Sequence, residues 1–169
     1  LSVTKTSAVS SVHRPVHMDS IGIKRYDAKG KVIGQRIFVG LFTSSAYNRS
    51  VRDIPMLRRK VEKIFNRSSF PPGSHDGKSL LNILETFPRD ELFQASEDDL
   101  FETSLGILHL QERQRVALFL RRDDFERFIS CQIFVPRDRF STELRRQIQN
   151  ILEDAFAGEM LAFHTQLGS

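Results

Sequence analysis

The chain has 169 residues, 40% hydrophobic and 27% charged, and these proportions argue against a disordered or a membrane-embedded class of protein. Its net charge of +4 comes from 25 basic and 21 acidic residues. Acidic residues interrupt each basic run, so the pattern does not predict nucleic-acid binding. No apolar run approaches the roughly 20 residues that a membrane-spanning helix needs, and we expect no membrane contact.

The single cysteine excludes an intrachain disulfide and a cysteine-cluster metal site. Its scarcity favours a cytoplasmic protein. Cys131 lies in the apolar run 128–135, which predicts a buried strand. We therefore interpret Cys131 as a small core side chain without chemistry.

The chain begins with a sheet pattern. Residues 1–13 are polar with isolated valines and predict either a fraying arm or an edge strand. Residues 16–26 and 32–42 predict two paired strands, because an Asp-to-Gly turn ending at Gly30 separates them. This is the clearest hairpin in the sequence.

A helix is predicted after the polar loop 43–52. Asp53 supplies a capping side chain and Pro55 suits the first helical turn. Apolar residues at helical spacing continue to about Asn66, where we expect the helix to end.

The middle of the chain is predicted to be helical. Residues 71–77 are rich in proline and glycine and predict a linker or loop. A short amphipathic helix follows and stops at Pro88. Ser96 and Asp99 have the spacing of a capping box and start another helix.

The last part of the chain predicts strands 115–120 and 128–135, which should pair. Ser141 caps a helix with one apolar stripe, and Gly158 closes it. Residues 159–165 then begin one more strand. The fold class predicted by all these elements is α+β.

No complete catalytic, cofactor-binding or metal-binding pattern is present. A dinucleotide site needs a glycine-rich turn between a strand and a helix, whereas Gly30, Gly34 and Gly40 lie in or beside the hairpin. His13 and His17 are four residues apart, but in a strand-like region they converge less tightly than zinc ligands on a helix. No serine lies in a nucleophile elbow.

One candidate binding feature is the sequence Arg137, Asp138 and Arg139, which we call the arginine turn. Two guanidinium groups flank a carboxylate where the last helix begins. Such a place can hold an anion. The alternative is that Asp138 pairs with a neighbouring arginine and that the arginines contact another part of a longer protein.

Three stretches carry a family resemblance: FVGLFTSSAYNRS at 38–50 with its continuation at 52–61, SHDGKSLLNILETFPRDELF at 74–93, and residues 131–140 with the helix after them, which include FVPRDRFSTELR and ILEDAF. These stretches resemble the corresponding segments of the large bacterial NAD-dependent glutamate dehydrogenases. Together the similar stretches cover most of residues 16–165. In that family the N-terminal half resembles a series of PAS-like and ACT-like sensory modules joined by helices.

The resemblance implies a PAS-like sheet with one helix at 1–70, a helical connector at 71–113 and a partial ACT-like β-β-α-β module at 114–169. It implies a non-catalytic regulatory or assembly segment of an enzyme that deaminates L-glutamate oxidatively to 2-oxoglutarate and ammonia. The segment itself is expected to be inactive and without cofactor, since NAD would bind elsewhere in the parent enzyme.

The expected partners are the rest of the parent chain, a homo-oligomer and possible amino-acid effectors, with no nucleic acid and no membrane. A partial ACT-like sheet would leave an open edge, and we expect self-association through residues 115–169. The alternative is an independent domain that senses a small molecule or binds nucleic acid.

Overall fold

The computed structural model describes residues 1–112 and 115–166. The chain divides into two compact units, Leu1–Leu108 and His109–Ser169, which we call the first and second units. The first contains β1 (Ser2–Val9), β2 (His17–Tyr26), β3 (Val32–Gly40), α1 (Ser44–Asn48), α2 (Pro55–Ser68), α3 (His75–Thr86), α4 (Arg89–Gln94) and most of α5 (Glu97–Glu112). The second contains β4 (Ala117–Arg122), β5 (Ile129–Phe134) and α6 (Thr142–Phe156). The fold class is α+β, as predicted.

The first unit opens with a three-stranded antiparallel sheet in the order β1-β2-β3. The N-terminal residues therefore form an edge strand, one of the two predicted alternatives. The predicted hairpin is confirmed: Asp27 Oδ1 accepts hydrogen bonds from the N–H groups of Lys29 and Lys31, both at 2.9 Å. A bulge follows, because Arg25 pairs with Gly34 and Tyr26 with Val32.

The helices of the first unit enclose its hydrophobic core. Six large aliphatic side chains are at most 2% exposed: Leu57, Ile64, Leu80, Leu84, Leu92 and Leu100. Burial of each such side chain stabilises the fold by about 1.5–3 kcal/mol. Lys60 also fastens α2 to the end of α4, since its Nζ donates to the carbonyl oxygens of Leu92, Phe93 and Ala95 at 2.7–3.0 Å.

The predicted polar loop at 43–52 is wrong, because it contains α1 and the start of a 3-10 turn, Val51–Asp53. Asp53 is part of that turn and not the cap of α2. Ser50 accepts from the N–H of Arg52 at 3.2 Å and so caps the 3-10 turn, while Ile54 precedes α2 without a side-chain cap. Pro55 occupies the first turn of α2, as predicted.

The predicted loop at 71–77 is shorter than expected, because α3 begins at His75. Ser74 caps α3 by accepting from the N–H of Gly77 at 3.0 Å. A Cβ atom on Gly77 would lie 2.2 Å from the Pro71 carbonyl oxygen, so only glycine fits this corner. The short helix α4, which the sequence did not reveal, follows Pro88.

The predicted capping box of α5 is confirmed. The Asp99 N–H donates to Ser96 Oγ at 3.1 Å, and the Ser96 N–H donates to the Asp99 carboxylate at 3.4 Å. Among the described residues, no helix is long and apolar enough to cross a membrane.

The second unit contains the predicted pair of strands, β4 and β5, in antiparallel register from Ala117 opposite Phe134 to Arg122 opposite Ile129. The turn between them is held by Asp123, which accepts from Arg127 Nε at 2.7 Å and Nη2 at 3.0 Å. Cys131 is half-buried and not buried as predicted, because a two-stranded sheet covers its side chains incompletely.

Helix α6 begins as predicted, with Ser141 Oγ accepting from the Leu144 N–H at 3.1 Å. Its left-handed terminal residue is Ala157 (φ 47°) and not Gly158, which instead donates its N–H to the Glu153 carbonyl at 3.1 Å.

The predicted strand at 159–165 is wrong, since these residues form no strand. Contacts with α6 explain the difference. The Met160 N–H donates to Glu153 Oε1 at 2.9 Å, and the Arg145 guanidinium lies 4.3 Å from the centre of the Phe163 ring. The described part of this unit is therefore β-β-α and not β-β-α-β.

Candidate functional site: an arginine turn and a partly buried polar cluster

The arginine turn lies between β5 and α6 as a 3-10 turn, Arg137–Arg139. The Arg139 N–H donates to the Pro136 carbonyl at 3.0 Å, which fixes the backbone. All three side chains are exposed. Within residues 1–112 and 115–166 they form no hydrogen bond or ion pair, so the predicted pairing of Asp138 with an arginine is not seen there.

The geometry of the arginine turn suits a partner outside the described residues. Ser141 Oγ accepts a hydrogen bond from one N–H group in the first turn of α6. The guanidinium groups of Arg137 and Arg139 donate no hydrogen bond to any described side chain. An anion or an acidic surface would supply the missing acceptors. No hydrogen bond from a described residue fixes the position of these exposed side chains.

A second group of residues, which sequence reasoning missed, forms a partly buried polar cluster in the first unit: Lys5, Asp19, Tyr47 and Asp90. Lys5 Nζ lies 2.7 Å from Asp19 Oδ1 and 3.3 Å from Asp90 Oδ1. Tyr47 donates its hydroxyl to Asp90 Oδ1 at 3.0 Å. The polar cluster therefore joins β1 and β2 to α1 and α4.

Asp19 is 5% exposed, and burial of an unpaired carboxylate would be costly. Lys5 balances its charge, and the N–H of Phe42 donates to Asp19 Oδ2 at 3.1 Å. Burial of Tyr47, together with the nearby Asp90 carboxylate, raises the pKa of the Tyr47 hydroxyl above its ordinary value. The hydroxyl thus stays a hydrogen-bond donor at neutral pH.

The polar cluster is built to hold elements together. Arg14 extends it, because its Nη2 donates to the Phe42 carbonyl at 3.0 Å and its guanidinium lies 5.4 Å from the centre of the Tyr47 ring. Each described carboxylate of the cluster already faces a cation or a donor. The available sequence signal was Asp19 inside a strand with Lys5 in the preceding segment, but only the register places Lys5 opposite Asp19.

A third polar group fastens the end of α3. Glu85 accepts hydrogen bonds from the Ser50 hydroxyl and, at 3.1 Å, from the N–H of Val51. Arg89 donates from Nη2 to the Arg49 carbonyl at 3.1 Å, while its buried Nη1 has no partner among the described residues. We assign Arg89 no ligand.

A shallow pocket of about 380 Å³ lies where the loop between β1 and β2 approaches the end of β3. Its lining includes Ser10, His13, Met18 and Leu41, but not His17. Within the part of the chain that the structure describes, no three His, Cys, Asp or Glu residues are grouped so that they could hold a metal ion.

Comparison with known proteins gives the family. Residues 54–113 match the family model for the glutamate dehydrogenase helical motif 1, and residues 117–169 match the model for the glutamate dehydrogenase ACT2 domain. The NAD-specific glutamate dehydrogenase of Halomonas elongata is 47% identical over 167 residues, which are 99% of this chain and 10% of that protein. The chain belongs to the NAD-specific glutamate dehydrogenase family.

Two further relatives of this glutamate dehydrogenase segment carry the same description. The protein of Pseudomonas aeruginosa is 46% identical over 165 residues, covering 98% of this chain and 10% of the relative. That of Mycobacterium tuberculosis is 37% identical over 144 residues, covering 85% of this chain and 9% of the relative. The glutamate dehydrogenase segment thus spans about a tenth of the length of the curated relatives that it matches.

Proposed function

We propose that this chain is a non-catalytic regulatory and assembly segment of an NAD-dependent glutamate dehydrogenase. The parent enzyme would convert L-glutamate oxidatively to 2-oxoglutarate and ammonia with NAD, in the cytoplasm. The observation that carries the proposal is the similarity to NAD-specific glutamate dehydrogenases over 99% of this chain, which makes up 10% of the relative. The match to an ACT2 domain favours a regulatory part of such an enzyme.

The described contacts support a scaffold role. The charges of Lys5, Asp19 and Asp90 are paired within the polar cluster. Large apolar side chains of β3 and β4, in contrast, lie exposed. Exposed apolar surfaces mark protein interfaces. In our proposal the first unit is a PAS-like sheet with its helices, the second is an ACT-like module completed by further chain, and copies of the enzyme associate through this segment.

The arginine turn is our proposed contact for an anionic effector, such as an amino-acid carboxylate, or for an acidic surface of the parent enzyme. Replacement of Arg137 and Arg139 by alanine in the whole enzyme should alter its oligomeric mass or its response to amino acids. Arg146→Ala is the matched control, because Arg146 is another exposed arginine nearby. Unchanged effector response and unchanged mass in the double variant would remove the turn from the proposal.

Catalytic turnover gives the second test. Each variant of the arginine turn should keep the kcat of the assembled enzyme, because the proposal places no reacting group in this segment. A large fall in kcat with unchanged assembly, unchanged effector response and unchanged KM would contradict it.

Binding of NAD is the third test. Calorimetric titration of this chain with NAD should give no stoichiometric binding, since the sequence offers no glycine-rich strand-turn-helix for the pyrophosphate. Tight binding at one site per chain would instead place part of the cofactor site here.

A further inference from the structure

The loop between β1 and β2, residues 10–16, is held in shape by its own hydrogen bonds, and we call it the strap. The Ser10 N–H donates to the Val16 carbonyl at 2.9 Å and closes the strap at its base. The Ser10 hydroxyl donates to the Val12 carbonyl at 2.8 Å and accepts from the N–H of Val12 at 3.2 Å. Because these bonds lie within the strap, they persist when it moves as a unit about its base.

The backbone of the strap is strained at His13. The φ angle of His13 is 65°, and the N–H of Arg14 donates across it to the Val12 carbonyl at 2.8 Å. A three-residue turn with positive φ is the rare and strained form of the γ-turn. Strain of this kind persists only where other contacts hold it in place. The residue that supplies such contacts, Arg14, follows directly in the chain.

Arg14 connects the strap to the segment that leads into α1. Its Nη2 donates to the Phe42 carbonyl at 3.0 Å, and its guanidinium carbon lies 5.4 Å from the centre of the Tyr47 ring. Among the described residues, the rest of the strap forms hydrogen bonds only within itself and at its base. Arg14 is therefore the one polar tether of the strap in this part of the chain.

The strap forms one wall of the shallow pocket at the end of β3, whose volume is about 380 Å³. Met18, Gly40 and Leu41 line the opposite side. Met18 and Leu41 are apolar and half-buried, so movement of the strap away from them would expose them to solvent. The position of the strap thus determines how open the pocket is.

We propose that the strap is a two-state element that opens and closes over this pocket. In the closed state, which the structure shows, the bond from Arg14 to the Phe42 carbonyl keeps the strained turn in place. In the open state the guanidinium leaves that carbonyl, the backbone at His13 relaxes, and the strap rotates about its base. Strain favours opening and the tether favours closing, so the closed state is held by a small margin. This inference goes beyond the proposed function, because it gives the first unit a conformational switch.

Charge balance makes the strap sensitive to salt. The polar cluster has two carboxylates, Asp19 and Asp90, and one lysine, Lys5, and the closed strap brings Arg14 beside it as a second cation. Burial and both carboxylates raise the pKa of the Tyr47 hydroxyl, whereas Arg14 lowers it, so all three charges act at this hydroxyl. Added salt shortens the Debye length from about 8 Å at 0.15 M to about 3 Å at 1 M. Since Arg14 is exposed, we expect salt to weaken its attraction to the carboxylates and to favour the open state.

Hydrogen exchange of the whole enzyme, measured by mass spectrometry on peptides that cover the strap, tests the tether. Arg14→Met should speed exchange in the strap about tenfold, because methionine keeps an unbranched side chain but donates no hydrogen bond. Arg25→Met is the matched control, since Arg25 is an exposed arginine of β2 without a tether. If the strap exchanges no faster in Arg14→Met than in Arg25→Met, the tether is wrong.

Two substitutions at His13 test the strain. His13→Gly and His13→Ala both remove the imidazole, but only glycine adopts a positive φ without a steric penalty. Exchange in the strap should therefore be at least about two times faster in His13→Ala than in His13→Gly. Equal rates would show that the turn at His13 is not strained in the enzyme and would overturn the two-state strap.

Salt dependence distinguishes an equilibrium between two states from a loop that is merely damaged by substitution. In the natural enzyme, exchange in the strap should become about three times faster between about 0.15 M and 1 M potassium chloride, and Arg14→Met should lose most of this dependence. The same salt dependence in both proteins would contradict the proposed role of Arg14. A strap that exchanges as slowly as α3 in the natural enzyme would show that it does not open, and the proposal would be wrong.

Discussion

The two units differ in how completely they bury their apolar residues. The first unit holds a core in which Leu80 and Leu84 are 0% exposed. In the described part of the second, residues 115–166, no hydrophobic side chain is fully buried, and Leu118 and Leu120 are 46% and 50% exposed. An isolated two-stranded hairpin is at best marginally stable in water. The first unit can therefore be stable through its own packing, whereas the second needs apolar surface from elsewhere.

The largest expected difference concerns one leucine in each unit. Leu80→Ala should lower the free energy of unfolding by about 3 kcal/mol, because it empties space in a closed core. Leu120→Ala on β4 should cost less than about 1 kcal/mol, since half of that side chain already contacts solvent. Urea denaturation of both variants measures the difference. Equal losses would show that Leu120 is buried in solution and that the contrast between the units is wrong.

A similarly large effect is expected from the polar cluster. Lys5→Met leaves the buried Asp19 carboxylate without its cation and should cost about 3 kcal/mol in the free energy of unfolding. Lys63→Met is the matched control, because Lys63 pairs with Glu97 at the surface, where both side chains are about half exposed. That loss should stay below about 1 kcal/mol. Equal losses in urea denaturation would mean that solvent reaches Asp19.

The second unit should respond to acid at the Asp123 carboxylate. The hydrogen bond from Arg127 lowers the pKa of Asp123 in spite of burial. Because the unfolded state has the higher pKa, this stabilisation is present above about pH 4 and is lost as the pH falls through the folded pKa. The contribution is about 2 kcal/mol for hydrogen bonds to a charged group.

The acid response can be followed through the amide signal of Phe125, whose N–H donates to Asp123 at 3.2 Å. We expect that signal to shift below pH 4 in the natural chain and to lose this transition in Asp123→Asn. The neighbouring exposed Asp124 provides the control variant Asp124→Asn, which should keep the transition. A transition that survives in Asp123→Asn would assign it to another group.

The smallest expected effect comes from removal of helix caps, and it distinguishes a local from a global loss of stability. Ser96→Ala and Ser141→Ala each remove a helix cap, worth about 1 kcal/mol. Helix α5 contributes Leu100 to the core, so loss of Ser96 should lower the midpoint of global unfolding. Helix α6 has no buried residue, so loss of Ser141 should speed amide exchange in its first turn without moving that midpoint. A shared drop in the midpoint would show that the units unfold together.

Local chemistry made most elements predictable. The hairpin turn at Asp27, Pro55 in the first turn of α2 and the cap at Ser141 depend on neighbours within a few residues, and all three are confirmed. Asp53 does not cap α2 because it lies in a 3-10 turn before that helix, and Ser50 caps this turn. The strand expected at 159–165 is absent because strand formation needs a neighbouring strand, and the side chain of Glu153 binds this backbone instead.

The two candidate sites also differ in how far the sequence could predict them. The arginine turn was visible because its three residues are consecutive. The polar cluster was not, since Lys5, Asp19 and Asp90 come from separate elements and meet only through strand register and helix packing. A register argument could have found one part of the polar cluster, the pairing of Lys5 with Asp19 on neighbouring strands.

The corner between α2 and α3 has a mechanical consequence. Two prolines and a glycine stand there, which is the usual composition of a joint that bends. Yet the Pro71 carbonyl accepts from both the N–H and the hydroxyl of Ser74, at 2.9 Å and 2.7 Å, and Gly77 packs directly against it. Pro71 is thereby tied to the first turn of α3. Residues 71–77 therefore move together with α3, and any bending between α2 and α3 has to take place before Pro71.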